Sequence, residues 1–164
     1  MIRKARIEDI AQVHSLINKF ARLDLMLPRS LNELYENLRD FWVAEENGRI
    51  VGCAALHISW DDLAEIKSLA VATRRQGRGI GRELVLACIN EAKELGAGKV
   101  FVLTYKPDYF KKFGFRRIEQ AQLPHKIWAE CINCCKFPDC NEVALLKNLK
   151  KVKKGTFLNL NNKY

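Results

Sequence analysis

At 164 residues the chain has room for one domain with a sizeable core, and not for two. Hydrophobic residues make up 48% and charged residues 29%, an ordinary globular composition. No run reaches the roughly 18 apolar residues of a membrane helix, so no membrane partner is expected. Met1-Ile2-Arg3-Lys4-Ala5-Arg6 has no apolar stretch behind its charges, so no export signal is expected and the expected compartment is the cytoplasm. The net charge of +9 calls for an anionic partner. Lys147, Lys150, Lys151, Lys153 and Lys154 crowd the C-terminal end and read as a solvated tail rather than a nucleic-acid site. Arg74, Arg75, Arg78 and Arg82 instead surround a glycine-rich turn that suits a phosphate ligand.

Ile7, Ile10, Val13, Ile17 and Phe20 keep helical spacing and predict an amphipathic helix of about four turns. Ser30 and Glu33 have capping-box spacing, so a second helix starts there and runs to about Arg39. Phe41–Glu45 and Ile50–Leu56 flank Asn47-Gly48, the turn dipeptide of a type I′ hairpin. Asp61-Asp62 breaks the pattern before a long strand from Leu63 to Val71. After the arginine- and glycine-rich turn comes a helix to about Leu95, then a buried strand over Lys99–Thr104. A short helix spans about Pro107 to Phe113, and Val143–Leu146 is a candidate closing strand. The order α-α-β-β-β-α-β-α-β predicts an α/β fold, a mixed sheet with helices on both faces. The domain is taken as residues 1–150, with 151–164 a basic polar tail.

The turn Arg74-Arg75-Gln76-Gly77-Arg78-Gly79-Ile80-Gly81-Arg82 enters a helix, whose first N–H groups lack internal partners and carry the positive end of the macrodipole. Two familiar phosphate loops fail here. A P-loop needs Lys-Ser/Thr after its last glycine, where this chain has Arg82-Glu83, and a dinucleotide fingerprint needs glycine at Arg82. The pattern that fits is Gln-x-x-Gly-x-Gly, as Gln76-Gly77-Arg78-Gly79-Ile80-Gly81. With Ala64–Val71 before it and Tyr109-Phe110-Lys111-Lys112-Phe113-Gly114-Phe115 after it, residues 2 to 120 resemble the GCN5-related (GNAT) N-acetyltransferases, motif by motif in order.

That resemblance implies the GNAT acyl-CoA N-acyltransferase fold, with a mostly antiparallel sheet splayed between its fourth and fifth strands. It implies acetyl-CoA as co-substrate, its pantetheine arm bound by backbone groups of Leu69, Ala70 and Val71. Backbone N–H groups from Gln76 through Gly77, Arg78, Gly79, Ile80 and Gly81 to Arg82 would hold the pyrophosphate. Direct transfer to an amine needs a proton acceptor. Glu65, six residues before Val71, lies where histone acetyltransferases of the superfamily carry their general base. The family tyrosine that protonates the leaving thiolate falls at Phe110, so the acid is unassigned and water is the expected substitute.

Pro28-Arg29-Ser30, Phe41–Glu45, Gly52–Leu56 and Phe101–Thr104 are similar to the acetyltransferase domain of N-acetylglutamate synthase. The segment from Leu123 to Cys140 resembles short single-domain acetyltransferases linked to arginine biosynthesis. These resemblances imply the α-amino group of an amino acid as acceptor, L-glutamate first, with Arg29 clamping a carboxylate and Ser68 lining the substrate site. Lys67 alternates to the other face and reads as solvated. A protein or peptide N-acetyltransferase, a polyamine or aminoglycoside acetyltransferase and a non-catalytic CoA-binding module stay open as alternatives, and a homodimer is compatible with the family.

Six cysteines without an export signal argue against a disulfide framework. Cys53 and Cys88 read as core residues. Cys131, Cys134, Cys135 and Cys140 have one pair at metal-ligand spacing but lack the second, so no metal is assigned and none is required for the transfer. His14, His57 and His125 show no constellation with a nucleophile, and Trp42, Trp60 and Trp128 read as packing.

Overall fold

A computed structural model describes residues 1–149, so Lys150 and the 151–164 tail lie outside it. The elements are β1 (Ile2–Lys4), α1 (Ile10–Ala21), α2 (Leu31–Glu36), β2 (Phe41–Glu46), β3 (Arg49–Trp60), β4 (Leu63–Val71), α3 (Ile80–Glu94), β5 (Lys99–Thr104), α4 (Pro107–Lys111), β6 (Arg116–Arg117), α5 (His125–Ile132) and β7 (Val143–Asn148). The strands form one sheet in the order β1-β2-β3-β4-β5-β7-β6. Every pair is antiparallel except β4–β5. No helix among the described residues is long and apolar enough to cross a membrane.

Each face is covered because strand alternation supplies two apolar surfaces. Ile10, Val13, Ile17 and Phe20 of α1 pack with Leu34 of α2 on Phe41, Val43, Cys53 and Ala55. Leu84, Val85, Cys88 and Ile89 of α3 pack on Ala54, Leu56, Ala64 and Ile66 from the opposite side, where Phe110 of α4 and Phe115 join them. Burial pushes the Cys53 and Cys88 thiols up to about 12, as expected of inert core cysteines. A third cluster sets Leu123 and Ile127 of α5 against Leu63, Phe101 and Ala144.

The hairpin turn has Asn47 at φ 49° and Gly48 at φ 73°, the two left-handed residues of a type I′ turn. Ser30 caps α2 as its spacing predicts: its Oγ accepts from Glu33 N–H at 3.1 Å, and Glu33 Oε2 accepts from Ser30 N–H at 2.8 Å. Several elements differ from expectation. β3 continues to Trp60, and Trp60 is 59% exposed rather than packed. α4 ends at Lys111, with Phe113 and Gly114 in the turn beyond it. β1, β6 and α5 were not predicted; the two strands are three and two residues long, too short to show periodicity.

Two features of β4 position the site. Its pairing with β5 runs only through Leu63↔Lys99, Ala64↔Val100 and Glu65↔Phe101, after which the strands part. Its pairing with β3 shifts register between Cys53 and Ala55, opposite a bulge at Ser68, whose φ is 55°. The bulge reverses which side chains face which layer. Ile66 and, beyond the bulge, Leu69 and Val71 pack with the α3-side core, while Ala70 packs on the α1 side.

Candidate active site

Where β4 and β5 diverge, the sheet opens into a cleft of about 1040 Å³. Its floor carries His57 of β3 with Glu65 and Lys67 of β4. One wall is residues 23–29 and α2, and the other is Leu103–Lys106 with α5 and the loop after it. The two walls meet at Lys136, whose ammonium lies 2.6 Å from Asp24 Oδ1.

Glu65 and Ser68 of β4 and the sequence-distant Arg29 all line this cleft. Glu65 is 8% exposed, and Lys67 Nζ approaches its Oε2 at 3.8 Å. Lys67 therefore shares the cleft face with Glu65 and is not the solvated residue expected, because the bulge lets Ser68 line the cleft as well. Arg29 is held at its backbone: Asn18 Nδ2 donates to Arg29 C=O at 2.8 Å, and Arg29 N–H donates to Asn18 Oδ1 at 3.2 Å. Its guanidinium is 3.6 Å from Glu33 Oε1, loosely enough to engage another carboxylate.

Leu69, Ala70, Val71 and Gln76 line the other end of the cleft, along the β4 edge that β5 has left. Gln76 Nε2 donates to Val71 C=O at 3.0 Å, tying the turn to the strand end. Gly77, Arg78, Gly79, Ile80, Gly81 and Arg82 form the turn into α3 beyond the cleft and do not line it. Gly79 is the N-cap of α3 at φ 84°, and no side chain caps the helix. Its first-turn N–H groups are therefore open to an anion, with Arg74, Arg78 and Arg82 exposed around them. Arg75 is held aside by Glu46, at 2.7 Å. Diphosphate chemistry fits this turn, and an extended amide-bearing chain fits the unpaired β4 edge.

Tyr109 points its hydroxyl at the start of α3, where a Cβ on Gly81 would lie 2.7 Å from it. Burial raises the Tyr109 phenol. Phe110 is buried in the α3-side core and also lines the cleft, but its ring has no proton to give.

Several residues here escape sequence reasoning. His57 Nδ1 lies 2.6 Å from Asp40 Oδ2, a pairing that spans 17 positions and that no local spacing reveals. Burial raises the Glu142 carboxyl, with the Arg29 charge opposing. Tyr105 also lines the cleft, and its buried hydroxyl has no hydrogen-bond partner among the described residues. The cysteines Cys131, Cys134, Cys135 and Cys140 are free thiols on the cleft wall. Burial raises the Cys131 thiol, and among the described residues no three His, Cys, Asp or Glu side chains converge as a metal site.

The sequence profile of the acetyltransferase (GNAT) family matches residues 7–115. The chain belongs to the GNAT acetyltransferases. As a member it is an acetyl-CoA-dependent acyltransferase, and the sheet parting at β4–β5 is that family's fold. An uncharacterized N-acetyltransferase of Chlorobaculum tepidum is 39% identical over 148 residues, covering 90% of this chain and 96% of its own. An amino-acid acetyltransferase of Mycobacterium tuberculosis is 36% identical over 133 residues, covering 79% and 76%. Longer amino-acid acetyltransferases match over less of themselves: the Neisseria meningitidis enzyme is 32% identical, with 29% of its length covered. Among solved structures, N-acetylglutamate synthase of Neisseria gonorrhoeae, complexed with coenzyme A and N-acetyl-glutamate, superposes with a TM-score of 0.82 at 27% identity. That match covers 92% of this chain and 35% of the synthase. A Mycobacterium tuberculosis protein crystallised with CoA superposes with a TM-score of 0.80 at 31% identity, covering 92% and 99%.

Proposed function

We propose that this acetyltransferase acts on the α-amino group of a free amino acid, with L-glutamate the leading acceptor. The observation that carries this reading is the cleft itself, where Arg29 is backed by Asn18 on one wall while Glu65 and Ser68 lie on the floor beside the open strand edge. A guanidinium matches a carboxylate in a two-pronged geometry that few amines other than amino acids can use. The amino-acid acetyltransferases among the relatives support the same class of acceptor.

In this reading, backbone groups of Leu69, Ala70 and Val71 hold the pantetheine arm, and the turn from Gln76 to Arg82 holds the pyrophosphate. Backbone N–H at the bulge end of β4 faces the negative charge that develops on the thioester oxygen. Arg29 and Ser68 orient the acceptor. Glu65 removes a proton from its ammonium, exposing the lone pair that attacks. The leaving sulfur receives its proton through water, since Phe110 has none to give.

The test is release of free CoA thiol from acetyl-CoA across the twenty amino acids, a polyamine and two peptides. A preference for glutamate that Arg29→Ala abolishes supports the assignment. Equal turnover of N-terminal peptides, or turnover only of the polyamine, would contradict it, and CoA binding without any turnover would leave a binding module.

A further inference from the structure

On the cleft floor stands a second titratable pair. The imidazole Nδ1 of His57 meets Asp40 Oδ2 at 2.6 Å. A carboxylate can only accept, so Nδ1 carries a proton, and in the neutral ring that leaves the lone pair on Nε2. Nε2 has no hydrogen-bond partner among the described residues. About a quarter of the His57 side chain (26%) is open, and both members of the pair line the cleft. The β3–β4 register sets His57 directly opposite Glu65. Side chains so paired share a face, with Cβ atoms about 5 Å apart. A packing histidine would be closed off at both nitrogens, whereas this one lines the cavity beside the proposed proton acceptor with one nitrogen anchored.

The Glu65 side chain is 11% exposed against 26% for His57, so water in the cleft reaches the imidazole more readily than the carboxylate. We propose that His57 is the proton relay of this site, taking the proton from Glu65 and passing it to water in the cleft, with Asp40 as the residue that positions it. This rests on the amine-acetylation reading above.

The step balances as follows in atoms and charge. An N–H bond of the ammonium breaks and leaves its electron pair on nitrogen, while the proton passes to a Glu65 oxygen. That pair forms the new C–N bond, and the C–S bond breaks with its pair going to sulfur. The first proton moves on to His57 Nε2, where Asp40 offsets the imidazolium charge, and then to water. A second N–H proton, lost as the amide forms, neutralises the thiolate. Each turnover thus sends one proton to CoA and one to solvent.

Steady-state kinetics with acetyl-CoA and glutamate on the full chain test the relay. His57→Gln should lower kcat about a hundredfold with the KM for acetyl-CoA unchanged, in the range of lost proton-transfer catalysis, and Asp40→Asn about tenfold. His57→Ala should regain activity when imidazole is added, which a structural histidine would not permit. Turnover by His57→Gln within threefold of the unaltered protein would overturn the relay alone. So would a His57→Ala protein that binds CoA normally yet ignores imidazole. No turnover by the unaltered protein with any amine would overturn the relay together with the acceptor reading beneath it.

Discussion

An arginine side chain carries several rotatable bonds before its guanidinium, so its value as a carboxylate clamp depends on how firmly its base is held. Asn18 pins the Arg29 backbone from both sides, donating at 2.8 Å and accepting at 3.2 Å. Asn18→Leu should therefore raise the KM for the amino acid roughly tenfold while leaving the KM for acetyl-CoA alone, about the effect expected of losing one or two buried hydrogen bonds. Arg29→Lys should behave similarly, because an ammonium cannot form the two-pronged pair. Initial-rate measurements in both substrates distinguish these effects from a folding defect. Gly81 offers a second single-site test at the other end of the cleft. A Cβ there meets the Tyr109 hydroxyl at 2.7 Å, so Gly81→Ala should weaken CoA binding measured by calorimetry. Adding Tyr109→Phe removes the oxygen and should restore much of that loss, since contacting sites couple.

At the scale of elements, α2 is the clearest case of local chemistry setting local structure. Its six residues cannot hold together by propensity, and the reciprocal Ser30–Glu33 bonds secure its first turn. Ser30→Ala should cost about 1 kcal/mol in chemical denaturation. It should also raise the acceptor KM, because Arg29 is the residue before the cap. β4 and α3 were legible in the sequence almost to the residue: an apolar run between Asp62 and the glycine turn, then a periodic helix closed by Gly96. The hairpin was equally legible, because Asn47-Gly48 leaves few alternatives. Glu65, Ser68 and Arg29 came from resemblance to a family, and the structure adds that they share one cleft. The bulge at Ser68 left no trace, since Lys67-Ser68-Leu69 is compatible with plain alternation. Strict alternation counted from Ser68 turned Lys67 away from the site, whereas the bulge lets both line the cleft. The His57–Asp40 pair was hidden for another reason: the residues meet only because β3 folds back beside the turn that follows α2.

For the whole molecule, the N-terminal segment is fastened by charge. Arg3 donates to Asp9 through both terminal nitrogens, at 2.7 and 2.9 Å, and through Nε to Glu45 at 2.7 Å. The Arg3 hydrogen bond pulls the Asp9 carboxyl below its ordinary 3.8. A depressed folded-state pKa stabilises above the unfolded value, and that stability disappears as pH falls through the folded one. Thermal melts from pH 6 downward should thus show stability declining below about pH 4, and Asp9→Asn should flatten that decline while lowering stability at neutral pH. Arg3→Ala, which leaves Asp9, only 4% exposed, with the Arg6 N–H but no ion-pair partner in place of Arg3, should cost about 3 kcal/mol.

The β4–β5 seam has a different consequence. Three residue pairs join the half-sheet β1-β2-β3-β4 to the half-sheet β5-β7-β6. Beyond that short junction each strand keeps its ladder on one side alone, β4 with β3 and β5 with β7, so the amides of Ile66–Val71 and Val102–Thr104 that face the seam should exchange fast in the free protein. An acetyl-CoA lying between them would act as a rivet, bridging the open seam above the core that the halves share. At a hundred times its dissociation constant it adds about 2.7 kcal/mol to global stability. The concentration of its own reactant would then set how long the folded chain survives.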